Sequence, residues 1–245
     1  MFRFICLNGG ILMDINTLGS FLNTLDTDGH MLDLMPRKIV WLSGAPGAGK
    51  GTNERYIIEY GHLYPSPLIA SSLLNSPEMR EKINHGLLLD DATVISSVFS
   101  GLQDPIYQEG VVVDGYPRTE MQAYSIYWLY QALERYGVRP QFSVLVLTLD
   151  EEESVRRQLY RGERAQEYNK RIRKTGQGVL KEVRPTDLDP EIARQRYRIF
   201  MQQTYTALQS LRGKLPFITI DSNGSLQEVK ARVLSAVKIL KINED

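Results

Sequence analysis

The residue types best suited to chemistry lie in Gly44-Ala45-Pro46-Gly47-Ala48-Gly49-Lys50-Gly51-Thr52, a run of spaced glycines that ends on a lysine and a hydroxyl. Spaced glycines let the backbone curl until successive N–H groups converge on one oxygen-rich group, and a following helix aims its positive end at the same place. Lys50 adds a full positive charge. The run therefore reads as a phosphate-wrapping loop, provided a strand precedes it and a helix follows. Both are expected, from the apolar run Ile39-Val40-Trp41-Leu42 and the helix-like segment Asn53 to Tyr60. In the general pattern a Ser or Thr follows the lysine directly and holds Mg²⁺. Here Gly51 intervenes and the hydroxyl comes at Thr52, so a metal would lean on the ligand's phosphates, on water and on a carboxylate from elsewhere.

That carboxylate is expected at Asp114. The β-branched run Val111-Val112-Val113 has the composition of a strand covered on both faces, and it delivers Asp114 at its carboxyl end, the side on which open α/β sheets bind ligands. In that place Asp114 can hold a water of a Mg²⁺ shell. Gly115 lets a ligand approach the backbone, and Pro117 fixes a turn, with a cis Tyr116-Pro117 bond as one way to do so. The turn presents Arg118, which can grip a phosphate at two points. Gln122, four residues on, offers a donor and an acceptor that match the adenine edge.

The elements that must position these groups alternate. Strands are expected at 39–42, 68–70, 111–113, 143–147 and 217–220, and helices at 53–60, 122–136, 151–161, 190–211 and 226–242. Residues 71–99 read as helical pieces broken at Ser76-Pro77 and at Gly86. From Gly162 to Asp189 the chain turns polar and arginine-rich, a composition that builds no core of its own. Residues 1–37 read as an N-terminal extension, loosely held apart from a short helix near 15–25. Alternating strands and helices with short joins argue a parallel sheet covered on both sides.

Composition bounds the rest. The chain has 245 residues with Lys+Arg and Asp+Glu both at 29, so no global field favours nucleic acid or an anionic membrane. One cysteine excludes an internal disulfide and a multi-cysteine zinc site, and the three histidines lack metal-ligand spacing. No run of about eighteen apolar residues is present, and neither a secretory signal nor a mitochondrial presequence fits the start, so a cytoplasmic monomer is expected.

The loop, with proline before its second glycine and Gly51 after the lysine, closely resembles that of the adenylate kinase family of nucleoside monophosphate kinases. The run Asp114-Gly115-Tyr116-Pro117-Arg118-Thr119 is similar to the same family's run, with Tyr116 for the usual Phe. Similarity by pattern covers roughly 38–242. The resemblance implies an α/β, three-layer P-loop fold with a parallel five-stranded sheet, a mobile acceptor-binding insertion at about 67–99 and a mobile lid at about 162–189. It implies ATP and AMP as substrates, with Mg²⁺ as cofactor. Arg118 would then hold the acceptor phosphate while Gln122 reads AMP. By the same resemblance Arg157 and Arg161 are a lid-hinge pair one helical turn apart, and Arg184 with Asp187, and Arg196, stand near the lid's end. Arg196 comes one residue later than is usual. Ile220 to Ser225, with Asn223, resembles the turn against the donor adenine, and the segment from Gly86 to Leu89 resembles the acceptor-base wall.

The acceptor side departs from the family pattern. Ala70-Ser71-Ser72-Leu73-Leu74-Asn75 stands where the family carries an Asp and, after two apolar residues, an Arg that binds the acceptor phosphate. Ser71 remains as a contact, and Arg80 is the nearest replacement cation. Three functions follow as expectations: reversible transfer from ATP to AMP, a kinase for another nucleoside monophosphate, or an ATP-binding module that has lost transfer.

Overall fold

The computed structural model describes residues 15–24, 30–74, 76–77, 79 and 89–242. Five parallel strands form one sheet: β1 (Lys38–Gly44), β2 (Leu68–Ile69), β3 (Val111–Asp114), β4 (Gln141–Thr148) and β5 (Phe217–Asp221), in the order β2-β3-β1-β4-β5. The interiors of β1, β3 and β4 are buried almost without interruption, which is why they read as continuous apolar runs and not as alternating ones. Trp41 seals the centre, its ring 5.6 Å from Tyr116 and 5.9 Å from Phe142.

The helices that cover the sheet are α1 (Ile15–Thr24), α2 (Met31–Leu34), α3 (Lys50–Gly61), α4 (Asp91–Leu102), α5 (Glu120–Arg135), α6 (Glu151–Thr175), α7 (Pro190–Ile199), α8 (Thr206–Gln209) and α9 (Leu226–Ile239). α3 packs on α9, while α1, α4 and α8 pack on α5. The chain leaves β1 toward β2 on one side and later places β4 on the other, so the sheet reverses direction beside β1. Ligands of open α/β sheets bind outside the strand ends at such a reversal. Register puts Leu42 opposite Asp114 and Gly44 opposite Leu147, which sets the loop after β1 beside the end of β3.

Three stretches differ from their sequence reading. First, the short helix expected near 15–25 is present as α1, but the chain between it and β1 is not loosely held where it is described. Leu18 and Leu22 of α1 are fully buried, as nearly are Met31 and Met35, and Gln108 Nε2 donates to Leu34 O at 2.6 Å. Apolar side chains four apart suffice to seat a short helix on α5.

Second, α6 does not stop before Gly162 but runs to Thr175, where Gly176 adopts a left-handed conformation and ends it. Its buried face is Ser154, Val155, Gln158, Gly162, Ala165, Asn169 and Ile172, a true helical stripe made of small and polar residues that a hydrophobicity pattern passes over. Gly162 permits the closest approach. A Cβ there would stand 2.0 Å from the Asp187 carbonyl oxygen. Asn169 pairs with the returning chain, donating to Lys181 O and accepting from Lys181 N, both at 2.8 Å.

Third, the helix expected over 190–211 is interrupted by a π-helical turn at Phe200–Tyr205. Thr204 in that turn is buried, and its Oγ1 donates to the Arg118 carbonyl oxygen at 3.2 Å.

Candidate functional site

The glycine-rich loop is the link from β1 to α3. Ala45 N donates to Leu147 O at 2.9 Å, Ala48 N donates to Ala45 O at 3.0 Å, and the buried Ser154 of α6 donates from Oγ to Pro46 O at 2.7 Å. Gly47 and Gly49 have φ of 78° and 79°, a region in which side chains are strained. This curl leaves the N–H groups of Gly47, Gly49, Lys50 and Gly51 without a backbone acceptor among the described residues. Unpaired N–H groups at the start of a helix form an anion site. Thr52 is exposed in the first turn of α3, its N–H spent on Gly49 O.

Lys50 folds back over this loop and donates from Nζ to Gly44 O at 3.0 Å. Loss of solvent lowers its pKa to about 8; Asp114 opposes that shift, while Arg196, Arg118 and Arg161 add to it. Arg196 is lowered to about 10, first by burial and then by Arg184, Arg161 and Arg118. Arg118 is lowered chiefly by burial, with Asp114 opposing and Arg184 adding. Arg196 therefore stands within electrostatic reach of Arg118, Arg161 and Arg184, and Lys50 within reach of Arg118, Arg161 and Arg196, although the five come from separate elements of the chain. A gathering of cations that depresses its own pKa values stores repulsion, and a polyanion relieves it.

Each cation has a holder. Arg118 follows the cis Tyr116-Pro117 bond; its Nε donates to Gly115 O at 3.0 Å and its N–H to Gln122 Oε1 at 2.8 Å. Arg161 makes a two-point pair with the buried Asp187, Nε to Oδ2 at 2.8 Å and Nη2 to Oδ1. Arg196 donates from Nη1 to Thr186 Oγ1 at 3.1 Å. Arg184 lies 3.5 Å from the exposed carboxylate of Glu182.

Arg157 stands apart from this group. Its Nε donates to Glu153 Oε1 at 2.6 Å and its Nη2 to Gly224 O at 3.3 Å, and its Cβ lies where a side chain on Gly47 would touch it. Asn223 completes that corner, donating from Nδ2 to Asp221 Oδ1 at 2.8 Å and accepting from Asp150 N at 3.4 Å. The guanidinium of Arg157 thus bridges the flank of the phosphate loop and the turn after β5.

Asp114 ends β3 with Oδ1 buried and without a hydrogen-bond partner. A cation, or a water bound to one, fits that orphan oxygen. Among the described residues no cluster of three or more acidic, His or Cys side chains could hold a metal alone, so a cation here needs ligands from phosphate or water.

Ser71 lies in a short 3-10 turn (Ala70–Ser72) after β2, which pairs Ile69 with Asp114. Leu89 is partly buried against the core just before α4. Gln122 is 2 % exposed, with Oε1 accepting from Arg118 N and Nε2 donating to Asp91 Oδ1 at 2.9 Å. Arg80 lies outside the described residues, as do Asn75, Gly86 and Leu87.

Sequence reasoning missed three participants. Glu54, one helical turn after Lys50, has its pKa raised to about 7, first by burial and then by Asp114, with Lys50 opposing. Its spacing of four from the lysine was the available signal. Asp91 and Thr204 carried none, since each meets the site through tertiary contacts alone.

No protein-family model matches the chain. The adenylate kinase of Stenotrophomonas maltophilia (strain K279a) is 27% identical over 204 residues, covering 80% of this chain and 97% of that one. The adenylate kinase of Gemmatimonas aurantiaca is 29% identical over 220 residues, with 82% and 99% covered. Among solved structures, a gluconokinase from Sinorhizobium meliloti 1021 aligns with a TM-score of 0.49 at 18% identity, over 84% of this chain and 94% of that chain. The chain is thus similar to the adenylate kinases over four-fifths of its own length and nearly all of each relative, well beyond the phosphate loop alone.

Proposed function

We propose that the protein catalyses reversible, Mg²⁺-dependent transfer of the γ-phosphoryl group of ATP to AMP, giving two ADP. One observation carries this reading above the others: Lys50, Arg118, Arg161, Arg184 and Arg196 share a single electrostatic neighbourhood beside the phosphate loop. Binding one nucleotide needs the loop and its lysine. Two phosphate chains meeting end to end need cations from both sides, because the transition state spreads charge over many oxygens and leaves little covalent work for side chains.

In this reading the loop from Gly44 to Thr52 and Lys50 hold the donor phosphates, Arg157 and Asn223 border the donor base, and Arg118 meets the acceptor phosphate. An acceptor phosphate oxygen attacks the γ-phosphorus while the bond from that phosphorus to the β,γ-bridging oxygen breaks. Arg161, Arg184 and Arg196 hold the equatorial oxygens. Asp114, through water, with Thr52 as the nearest hydroxyl, would hold Mg²⁺, which offsets phosphate charge. Ser71, Arg80 and Leu89 border the acceptor, within an insertion at about 67–99. The lid is assigned to about 162–189 and the kinase domain as a whole to 38–242. Water must be kept from the γ-phosphate during transfer, and closure of these two segments would do so.

A second reading, a kinase for another nucleoside monophosphate, draws on the acceptor side. Ser71 and Ser72 stand there without a basic neighbour in their turn, and Glu54 adds a carboxyl near Asp114. ADP formation from ATP and Mg²⁺ with AMP, CMP, UMP and GMP offered in turn separates the two. Turnover dependent on AMP upholds the first reading, preference for another acceptor upholds the second, and tight ATP binding without transfer to any of the four overturns both.

A further inference from the structure

We propose that Asp91 is a specificity-determining residue: it locks the Gln122 amide in the orientation that accepts an adenine edge and rejects the reversed edge of a 6-oxopurine. This inference rests on the reading of Gln122 as the group that meets the acceptor base.

Gln122 sits in the first turn of α5, almost wholly buried, and both ends of its amide are engaged. Oε1 accepts from the Arg118 backbone N–H at 2.8 Å, and Nε2 donates to Asp91 Oδ1 at 2.9 Å. The two partners are one-way groups. A backbone N–H can only donate, and an ionised carboxylate can only accept. Rotating the amide by half a turn would set N–H against N–H at Arg118 and oxygen against carboxylate oxygen at Asp91, two buried clashes replacing two hydrogen bonds.

Asp91 is itself immobilised. It opens α4, and the same oxygen that takes Nε2 also accepts from Thr119 Oγ1 at 2.7 Å. Thr119 in turn caps α5, its Oγ1 accepting from Gln122 N at 3.2 Å. Asp91 thereby ties the helix that closes the acceptor segment to the helix that carries Gln122, and among the described residues the amide has no other hydrogen-bond partner than Asp91 and Arg118.

A primary amide has two donor and two acceptor positions. Asp91 and Arg118 take one of each, which leaves one N–H and one lone pair in fixed order. Adenine presents an amino donor beside a ring-nitrogen acceptor and fits that order; hypoxanthine presents a carbonyl acceptor beside a ring N–H and needs the amide turned over.

The test is the ratio of dissociation constants for IMP and AMP, measured by calorimetric titration of the full-length chain at pH 8. Wild type should favour AMP, and Asp91→Asn, of the same shape but able to donate, should cut that preference about tenfold, the worth of one charge-assisted hydrogen bond. Asp91→Ser, read the same way, serves if the asparagine variant folds poorly. Equal weakening of both ligands in the Asp91 variants, with the ratio kept, would make Asp91 a structural brace and overturn the proposal. Gln122→Leu separates the two levels: if it abolishes the preference while the Asp91 variants keep it, only the lock is wrong. If it leaves the preference intact, the base is read elsewhere and the reading of Gln122 fails with it.

Discussion

Between about pH 7.5 and 9.5 the protein should lose affinity for ATP because Lys50 loses its proton. In the ligand-free protein desolvation, with Arg196, Arg118 and Arg161 adding to it and Asp114 opposing, brings this ammonium down to about 8. A bound polyphosphate sets negative oxygens against it and returns its pKa to the ordinary lysine range or higher, so binding takes up a proton wherever the free protein has lost one. Affinity is therefore full below the free value and falls as the pH rises through it. From a free value of about 8, the charged fraction drops from about three-quarters at pH 7.5 to about 3 % at pH 9.5, a loss of about 25-fold in affinity or about 2 kcal/mol. Glu54, raised to about 7, and Arg196, lowered to about 10, flank this window, so the loss is read most cleanly at about pH 8.5, midway between them. Calorimetric titration of ATP in two buffers of unlike ionisation heat counts the protons directly. Uptake should approach one per ATP near pH 9, and Lys50→Arg should flatten the profile. An affinity constant across the window, or proton release on binding, would refute the account of the cation cluster.

Arg118→Ala should lose far more phosphoryl transfer than ATP affinity, seen as a fall in turnover with AMP against a nearly unchanged ATP dissociation constant; parallel loss of both would place Arg118 on the donor instead. Gly162→Ala should destabilise the protein by about 1–3 kcal/mol, the usual cost of forcing a methyl into packed surroundings. The added carbon would press on the Asp187 carbonyl and loosen its pair with Arg161, so chemical denaturation should show the loss and transfer should fall with it. Leu22→Ala should cost about 2–5 kcal/mol in the same denaturation measurement, the range for emptying a buried leucine site, while ATP affinity at low temperature stays put.

The chemistry was more legible than the scaffold that holds it. The phosphate loop and the Asp114 to Arg118 turn announce themselves through residue type and spacing, because both depend on local backbone geometry. β1, β3 and β4 were equally plain, since strands buried on both faces leave no polar alternation to confuse the reading. The second half of α6 was hidden, because Gly162, Ala165 and Asn169 face their partner by being small or by hydrogen bonding and not by being greasy. The seating of α1 was hidden for another reason: Leu18 and Leu22 give a two-residue stripe that becomes meaningful only once α5 is there to receive it. At the site itself, the family resemblance pairs Arg157 with Arg161, yet the first lies by Gly224 and the second among the cations, a separation set by Glu153 and Asp187 that sequence spacing does not encode.

The widened turn at 200–205 works as a vernier between a charge that Arg118 repels and a hydroxyl that holds its carbonyl. Arg196 precedes it and feels the Arg118 charge, while Thr204, eight positions on, holds the Arg118 carbonyl. At about 100° per residue, eight steps of ordinary α-helix overshoot two full rotations by about 80°, which would point the two side chains a quarter-circle apart. Absorbing one residue in the π turn trims the advance to about seven steps, within about 20° of two rotations, and brings both to the same meridian. The extra residue thus bears on the phase between Arg196 and Thr204, and deleting one residue at 200–203 would keep both of them in the chain while turning Thr204 away from the Arg118 carbonyl.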